Sequence, residues 1–344
     1  MRRRNLLKTA RFSKEVAKLP RKRVALLFSG GTMLSEKPRP WEIVKKPEHM
    51  RRWLDNMSEI NVIADVEPVF ITGKGTLEIG PDEWLAMAEA VRRLHQSVDG
   101  FVVLHGVETL HYTANALSLM LRNLPFPAVV SGSPLRMPGL GVRQVEFAAR
   151  ANIINAVQVA AADVAGVCVV FGNRIMPAAQ VQPVMAEGAF QLVTAETALL
   201  GRVDFGTKLF ENRTKRSNRK PRWSIHLDQH VFVTTITPAV SASSFRLAIR
   251  GDFHAILARL HELVSLPDYV EREFRRALKH GIPVVLSSRH PLPGMVEFIS
   301  LLGVSPSMAV VKTMWALGAT REAGKLRKLL EQNVAGEFIQ GGAA

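Results

Sequence analysis

Hydroxyl and carboxylate side chains stand in short turns that directly follow apolar runs of the sequence. Thr32 ends the turn SGGT after residues 24–28, and Glu108 lies in the turn HGVET after residues 101–104. A threonine hydroxyl can attack an amide carbonyl if a neighbouring group takes its proton and if donors bind the developing oxyanion. The alternative for Thr32 is a structural role, in which its hydroxyl caps the segment that follows.

Metal, nucleotide and thiol chemistry find little support in the residue pattern. His105 and His111 are six residues apart, without a cysteine or a close pair of carboxylates to complete a metal site, so we expect no metal and no cofactor. The SGGT turn lacks the GxxxxGK spacing of a phosphate-binding loop. The single cysteine, Cys168, lies in the apolar run VCVVF, which predicts a buried thiol and excludes a disulfide within the chain.

Short apolar runs alternate with longer amphipathic segments, a pattern that is typical of repeated βα units and a parallel sheet. Ligands of open parallel sheets bind beyond the carboxyl ends of the strands, so the strand-end turns are where chemistry is expected. The strands predicted for the first half, each ending in a glycine or serine turn, are residues 24–28, 101–104, 128–130 and 167–171. The helices predicted there are Pro81–Leu94 and Val142–Ala161.

A smaller second unit follows a polar, basic stretch at about residues 207–222 that lacks apolar periodicity. Its predicted elements are a strand at 231–236, a helix at 267–280, a strand at 282–286, an apolar segment at 312–317 stopping at Gly318, and a final helix capped by Thr320 and reaching about residue 332. The predicted division is a basic tail (1–23), an N-terminal α/β domain (24–206), a basic linker (207–228) and a C-terminal α/β domain (229–344).

The formal net charge of +15 is concentrated in two segments of the 344-residue chain. Residues 1–23 and 211–223 carry ten and six Lys or Arg residues, with one Glu each, and the remainder is nearly neutral. This distribution is weak support for a nucleic-acid enzyme and favours a solvated tail and linker. Docking of RNA, a membrane surface or a partner through these segments stays open.

No apolar run approaches the roughly 18 residues that a membrane span requires, so we expect no span and a cytoplasmic protein. The first 20 residues are rich in Arg and poor in acidic residues. A mitochondrial transit peptide therefore stays open for a eukaryotic source.

The strand-end motifs, in their order along the chain, resemble those of the two-domain L-asparaginase family. SGGT resembles the family's TGGTI, HGVET resembles HGTDT, FGNRIMPAAQV resembles the segment written FNDRI or MND, and TLEIGPDEW resembles the segment with the substrate-binding serine. HGIPVVLSSR and VVKTMWALG resemble a strand and a helix of the second domain. Each motif alone is weak, but six in the right order, spanning about residues 24–337, identify the chain as a family member.

The resemblance implies an α/β fold with a larger N-terminal domain, in which helices flank a parallel sheet, and a smaller C-terminal α/β domain. It also implies hydrolysis of the side-chain amide of L-asparagine, sometimes of glutamine, through an acyl-threonine intermediate and without a cofactor. Family members usually form dimers or tetramers with sites completed at the interface, so a homodimer or homotetramer is implied. The pattern also resembles the D-type amidase component of the archaeal amidotransferase that forms glutaminyl-tRNA, but its extra N-terminal domain is not recognisable here.

Motif matching places the family's functional positions on residues of this sequence. Thr32 matches the nucleophile, and Gly31 and Gly106 match turn positions that line the substrate site. Thr76 matches the substrate-binding serine, although Thr72 is close enough to leave the register open. Glu108 matches a substrate-binding aspartate and could hold an α-ammonium group through a charge-assisted hydrogen bond.

Other positions depart from the family pattern. The second catalytic threonine matches Val107, which keeps the shape and loses the hydroxyl, and the relay lysine matches Pro183. The flap tyrosine has no counterpart in MLSEKPRPWEIVKK, and Tyr112 and Tyr269 fall in predicted helices. Losing members of a proton-transfer set commonly costs several orders of magnitude in rate. Two hypotheses follow: a slow or redirected amidohydrolase, or a protein that binds an amino acid or a partner without turnover.

Overall fold

The larger part of the molecule is built on a mixed sheet with helices on both faces. The computed structural model describes residues 21–30, 44–134, 141–186, 189–204, 206–261 and 263–339. The strands described in this part are β1 (Arg23–Phe28), β2 (Asp65–Phe70), β3 (Gly100–Gly106), β4 (Leu121–Arg122), β5 (Pro127–Ser133), β6 (Gly166–Phe171), β7 (Arg174–Pro177), β8 (Gln182–Ala186), β9 (Ala189–Val193), β10 (Gly201–Val203) and β11 (Thr207–Leu209). The helices are α1 (His49–Asp55), α2 (Ile60–Ile63), α3 (Pro81–Leu94), α4 (Val107–Met120) and α5 (Val142–Ala161).

The large sheet has the strand order β11-β10-β7-β6-β5-β3-β1-β2. The pairs from β6 to β2 are parallel, as the βα pattern predicts, whereas β7, β10 and β11 are antiparallel. The predicted parallel sheet is therefore confirmed, and an antiparallel edge that was not predicted extends it. The chain between β6 and β7 is a tight turn at Gly172, whose φ is +59°, and so short a connection permits only antiparallel pairing.

Side chains of the central strands alternate between two apolar layers. Leu27 packs with Trp84 and Met87 of α3 on one face of the sheet. Leu26 packs on the other face with Trp53 of α1 and Val157 of α5. Because both faces are covered, β1, β3 and β5 are buried along nearly their whole length, and their carboxyl-terminal turns are held in place by the core.

The smaller part contains a four-stranded parallel sheet with the order β13-β14-β15-β16. Its core includes Phe245, Phe274 and Phe298, whose rings meet edge to face. The strands described here are β12 (Arg222–Trp223), β13 (Val231–Thr235), β14 (Ala255–His261), β15 (Val284–Ser288) and β16 (Ile299–Leu302). The helices are α6 (Ala242–Arg250), α7 (Asp268–Lys279), α8 (Pro306–Ala319) and α9 (Ala323–Glu331). A large and a small α/β unit are thus present, as the sequence predicts.

The basic stretch predicted as a linker lies on the larger unit. Strand β11 extends the large sheet past residue 206, and β12 pairs with β4. Arg216 donates hydrogen bonds to the carbonyl oxygens of Asp99 (2.6 Å) and Ala160 (2.8 Å), at the ends of neighbouring elements. A guanidinium with several donors can satisfy such carbonyls, so Arg216 serves packing, whereas Lys215, Arg219 and Lys220 are exposed.

The two parts also meet through helices α4 and α8, which pack against each other. Asn115 Nδ2 donates to Ser307 Oγ (2.9 Å) within this contact, where both side chains are buried. The helix that positions the HGVET turn is therefore supported by the large sheet and by α8 of the smaller part.

Local differences from the sequence prediction have local causes. Strand β2 was not predicted, because Asp65, Glu67 and Pro68 break its apolar pattern, which an edge strand tolerates. The final helix begins at Ala323, after Thr320 Oγ1 accepts a hydrogen bond from Glu322 N (3.2 Å), so Thr320 does not cap it directly. Among the described residues, no helix is both long and apolar enough to cross a membrane.

Candidate functional site

Three segments that carry the sequence motifs converge at the carboxyl ends of β1 and β3. The short turn Thr76–Glu78 places the buried Thr76 side chain directly against Gly106. A Cβ atom at position 106 would overlap Thr76 Oγ1 and lie 2.8 Å from Thr76 Cγ2. The Thr109 hydroxyl also donates to the Thr76 carbonyl oxygen (2.7 Å). The structure therefore places Thr76 beside the HGVET turn.

The end of β1 also approaches the chain just before the turn Thr76–Glu78. Gly30 has a φ of +78°, and a Cβ atom there would overlap the Lys74 carbonyl oxygen. Thr72 N and Ile71 N both donate to the carbonyl of Phe28, which continues the pairing of β2 with β1. A glycine is required at position 30 both by its backbone conformation and by the close approach of the loop.

Gly132 completes this edge of the sheet at the end of β5. A Cβ atom there would overlap the His105 carbonyl oxygen, so β3 and β5 approach through backbone alone. The buried Asn152 of α5 ties this edge to the end of β6, because its Nδ2 donates to Gly132 O and its Oδ1 accepts from Gly172 N, both at 2.9 Å. Rigid strand ends of this kind can present a ligand site with little reorganisation.

Helix α4 begins at the site, with Gly106 as its N-cap residue. Glu108 lies in the first turn and is half-buried, where an acidic side chain is placed favourably with respect to the helix dipole. Val107 is only 2% exposed and packs in the apolar core below the turn. The position that matches the second catalytic threonine is thus an inert core contact, whereas Glu108 keeps a polar group at the opening.

His105 lies directly behind the turn and is fully engaged. Its Nδ1 donates to the Gly106 carbonyl (2.7 Å), and its Nε2 then accepts from the Thr113 hydroxyl (2.9 Å), because a carbonyl can only accept. Burial lowers the pKa of His105 to about 4, although the Gly106 carbonyl partly opposes the shift. His105 is therefore neutral at neutral pH and has no free nitrogen for proton transfer.

Pro183 lies on the exposed side of the β8–β9 hairpin, opposite Leu192. The hairpin follows the short turn Ala178–Gln180, which packs against α4. Neither a charge nor a donor is available from a proline side chain at this place. Of the neighbouring FGNR turn, Asn173 donates to Asp204 Oδ1 (3.1 Å), so it stabilises the turn.

Gly31 and Thr32, the matched turn glycine and nucleophile, lie outside the described residues, as does the segment MLSEKPRPWEI that ends at residue 43. Their positions remain sequence predictions. The described residue closest to them along the chain is Gly30, which faces the Lys74–Thr76 loop.

Sequence reasoning overlooked the ion pair that fixes this loop. Lys74 Nζ contacts Glu83 Oε1 at 2.6 Å, and Glu83 Oε2 accepts from Gly80 N (3.0 Å). Burial by itself would raise the pKa of Glu83, but Lys74 and the Gly80 N–H outweigh it and hold that pKa below its ordinary value. The signal available in the sequence was the spacing of Gly80 and Glu83, which matches an N-terminal capping pattern.

Comparisons with known proteins agree with this arrangement. A family model described as "Asparaginase, N-terminal" matches residues 23–215. An L-asparaginase of Thermococcus kodakarensis is 28% identical over 300 residues, which is 80% of this chain and 87% of that protein. The D component of the glutamyl-tRNA(Gln) amidotransferase of Pyrococcus furiosus is 25% identical over 343 residues, which is 92% of this chain and 76% of that protein.

Solved structures show the same fold. The L-asparaginase I of Vibrio cholerae has a TM-score of 0.76 at 22% identity, covering 93% of this chain and 99% of that chain. The thermostable L-asparaginase of Thermococcus kodakarensis has a TM-score of 0.74 at 25% identity, covering 93% of this chain and 100% of that chain. Because the family model matches more than half of the sequence and the strand-end motifs occupy one edge of the sheet, the chain belongs to the asparaginase family.

Proposed function

We propose that the protein is an amidohydrolase that converts L-asparagine to aspartate and ammonia, at a rate lowered by the replaced relay positions. The observation that carries this proposal is the contact of the Thr76 side chain with Gly106, beside the half-buried Glu108. It brings the matched substrate-binding segments to one strand edge, where ligands of such sheets bind.

Recognition of the amino acid would use groups that are still present. Glu108 offers a carboxylate to the α-ammonium group, and Thr76 offers a hydroxyl beside it. The N–H groups in the first turn of α4 favour a negative group, such as the α-carboxylate, at the same edge. A hydroxyl and a carboxylate at the matched binding positions support this part of the proposal.

The groups that would transfer protons in the reaction are largely replaced. In the proposed reaction the Thr32 oxygen attacks the side-chain amide carbon, the carbon–nitrogen bond breaks, and ammonia leaves with the proton lost by the hydroxyl. Water then hydrolyses the acyl-threonine ester to aspartate and regenerates the hydroxyl. Val107 and Pro183 cannot carry a proton, and both nitrogens of His105 are already engaged. We therefore expect turnover far below that of a complete site.

Ammonia release from purified full-length protein tests the proposal, with asparagine and glutamine as separate substrates. Glutamine is included because relatives include proteins named as amidotransferase components. The wild-type protein should release ammonia slowly, Thr32→Ala should reduce release to background, and Thr72→Ala should leave it nearly unchanged. If wild type and Thr32→Ala release ammonia at the same background rate, turnover is refuted.

The buried, apolar Val107 favours a second candidate, in which the protein binds an amino acid without turnover. In that case asparagine raises the melting temperature of the protein while no ammonia appears, because a ligand that binds only the folded state stabilises it. A Glu108→Ala variant should lose the shift. No shift with any amino acid would count against a functional pocket.

We further propose a homodimer or homotetramer. Leu77 follows Thr76 in the turn Thr76–Glu78 and is 74% exposed, and Met185 on the β8–β9 hairpin is 60% exposed. Such apolar side chains near a site suit an interface. Light scattering coupled to size-exclusion chromatography gives the mass directly, and Leu77→Asp with Met185→Asp should lower it. A wild-type monomer at micromolar concentration would overturn this proposal.

A further inference from the structure

Four ionisable side chains gather at the amino edge of the smaller sheet. Asp228 and His230 come just before β13, and Asp252 and His254 come just before β14. Since β13 and β14 are parallel neighbours, the residues before them lie side by side, and His254 N donates to His230 O (2.7 Å). Ligands of the proposed amidohydrolase site would lie at the carboxyl edge of the other sheet, so this cluster is separate from it.

Asp228 anchors both imidazole rings. Its Oδ1 accepts from His230 Nδ1 (3.0 Å) and from the His230 backbone N (3.0 Å). Its Oδ2 accepts from His254 Nδ1 (2.7 Å) and from Arg321 Nη2 (3.2 Å). The Asp228 side chain is only 9% exposed. With its lone pairs engaged, this carboxylate fixes the tautomer in which both rings carry hydrogen on Nδ1.

The free Nε2 lone pairs then face one carboxylate. Asp252 Oδ2 lies 3.5 Å from His230 Nε2, and Asp252 Oδ1 lies 3.5 Å from His254 Nε2. These separations are long for a charge-assisted hydrogen bond. Each is close to the roughly 3.4 Å between two ligand atoms of a tetrahedral zinc ion with bonds of about 2.0–2.2 Å, and each histidine faces its own oxygen of Asp252.

We propose that His230, His254 and Asp252 bind a divalent transition-metal ion, zinc in particular, with Asp228 as the outer carboxylate that orients both histidines. A carboxylate that accepts the other ring N–H of a metal-bound histidine is the usual partner of such sites. The cluster can be reached from solvent, because the Asp252 side chain is 86% exposed and that of His230 is 51% exposed. This site revises the expectation of no metal, which considered only His105 and His111.

The ion would join the ends of two strands and stiffen the contact between the two parts of the molecule. Asp228 N donates to Met314 O of α8 (2.9 Å), and Gln229 Nε2 donates to Asp82 Oδ1 at the start of α3 (2.8 Å). Metal binding should therefore raise the melting temperature of the whole chain.

Zinc titration of the chelator-treated, full-length protein against a chromophoric competitor tests the site. We expect one equivalent bound by wild type, a loss of at least about 100-fold in affinity for His230→Ala and for His254→Ala, and a loss of about 10- to 100-fold for Asp228→Asn. The matched control is His280→Ala, an exposed histidine on α7's C-cap, which should bind as wild type does. Far-UV circular dichroism checks that each variant is folded.

Substituted cobalt(II) gives an independent readout, because a tetrahedral site produces intense visible absorption. That absorption should disappear in Asp252→Asn, whose exposed side chain leaves folding intact. The proposal is overturned if wild type takes up no zinc, or if His230→Ala and Asp252→Asn bind zinc with wild-type affinity. Neither result bears on ammonia release, so the amidohydrolase proposal is tested separately.

Discussion

The Thr76 side chain occupies the space that a Cβ atom at position 106 would need, with Thr76 Cγ2 only 2.8 Å from that point. The turn Thr76–Glu78 and the HGVET turn therefore pack so closely that position 106 has room only for a glycine. This contact defines the edge at which the amino acid is proposed to bind.

A Gly106→Ala substitution should lower the free energy of unfolding by about 1–3 kcal/mol, because the Thr76 side chain or the turn must move. Urea unfolding measures the change. Combining it with Thr76→Ala should cost less than the sum of the two single changes, since the substitutions share one contact. Gly324→Ala is the control, because nothing lies within 4 Å of its Cβ position. An unchanged stability of Gly106→Ala would contradict the close contact.

Stability should fall as the pH falls from about 6.5 towards 4, because His105 and His111 bind protons more weakly in the folded state. Burial lowers the pKa of His111 to about 4, and repulsion by His105 adds to the shift. The unfolded chain therefore takes up more protons in this window. His111→Gln should reduce the loss of unfolding free energy between pH 7 and pH 4.5 by about 2 kcal/mol. The exposed-site control is His280→Gln, whose stability should depend on pH as that of the wild type does. If the stability of His111→Gln shows this same pH dependence, the lowered pKa of His111 is contradicted.

Lys312 and Glu337 form an ion pair at 2.7 Å with both side chains completely buried. Glu337 also accepts from the backbone N–H groups of Val334 and Ala335, so the pair fastens the chain after α9. Lys312→Met should cost about 3–5 kcal/mol in guanidinium unfolding, because it leaves a buried carboxylate unpaired. The same change at Lys325, whose pair with Glu322 is exposed, should have a much smaller effect. Adding Glu337→Gln to Lys312→Met should recover part of the loss.

Restoring the family pattern should restore turnover. Val107→Thr with Pro183→Lys is expected to raise Thr32-dependent ammonia release by about tenfold or more, because a hydroxyl and an ammonium return to the relay. Val107→Ala with Pro183→Lys is the matched control, since it returns no hydroxyl, and it should stay at the wild-type rate. The buried hydroxyl in Val107→Thr should also cost about 1–3 kcal/mol of stability. No gain in rate would mean that the motif register or the surrounding geometry is wrong.

Elements with strong local patterns could be predicted from the sequence alone. The bounds of Pro81–Leu94 and Val142–Ala161 agree with the structure, because their apolar spacing and their first residues specify a helix locally. The central strands were found for the same reason, one or a few residues short at their ends. Strand β2 and the antiparallel edge were not found, since an edge strand shows a weak pattern and strand direction depends on connections.

The sequence by itself determined the family, the order of the strand-end turns and the absence of a hydroxyl at position 107 and of an amine at position 183, since these are properties of the covalent chain. Only the tertiary structure decided that Thr76 contacts Gly106, that the basic stretch packs on the larger sheet, and that His230 meets His254. The physical reason is that parallel pairing joins residues that are distant along the chain, as β13 and β14 do, and local side-chain patterns do not encode which strands become neighbours.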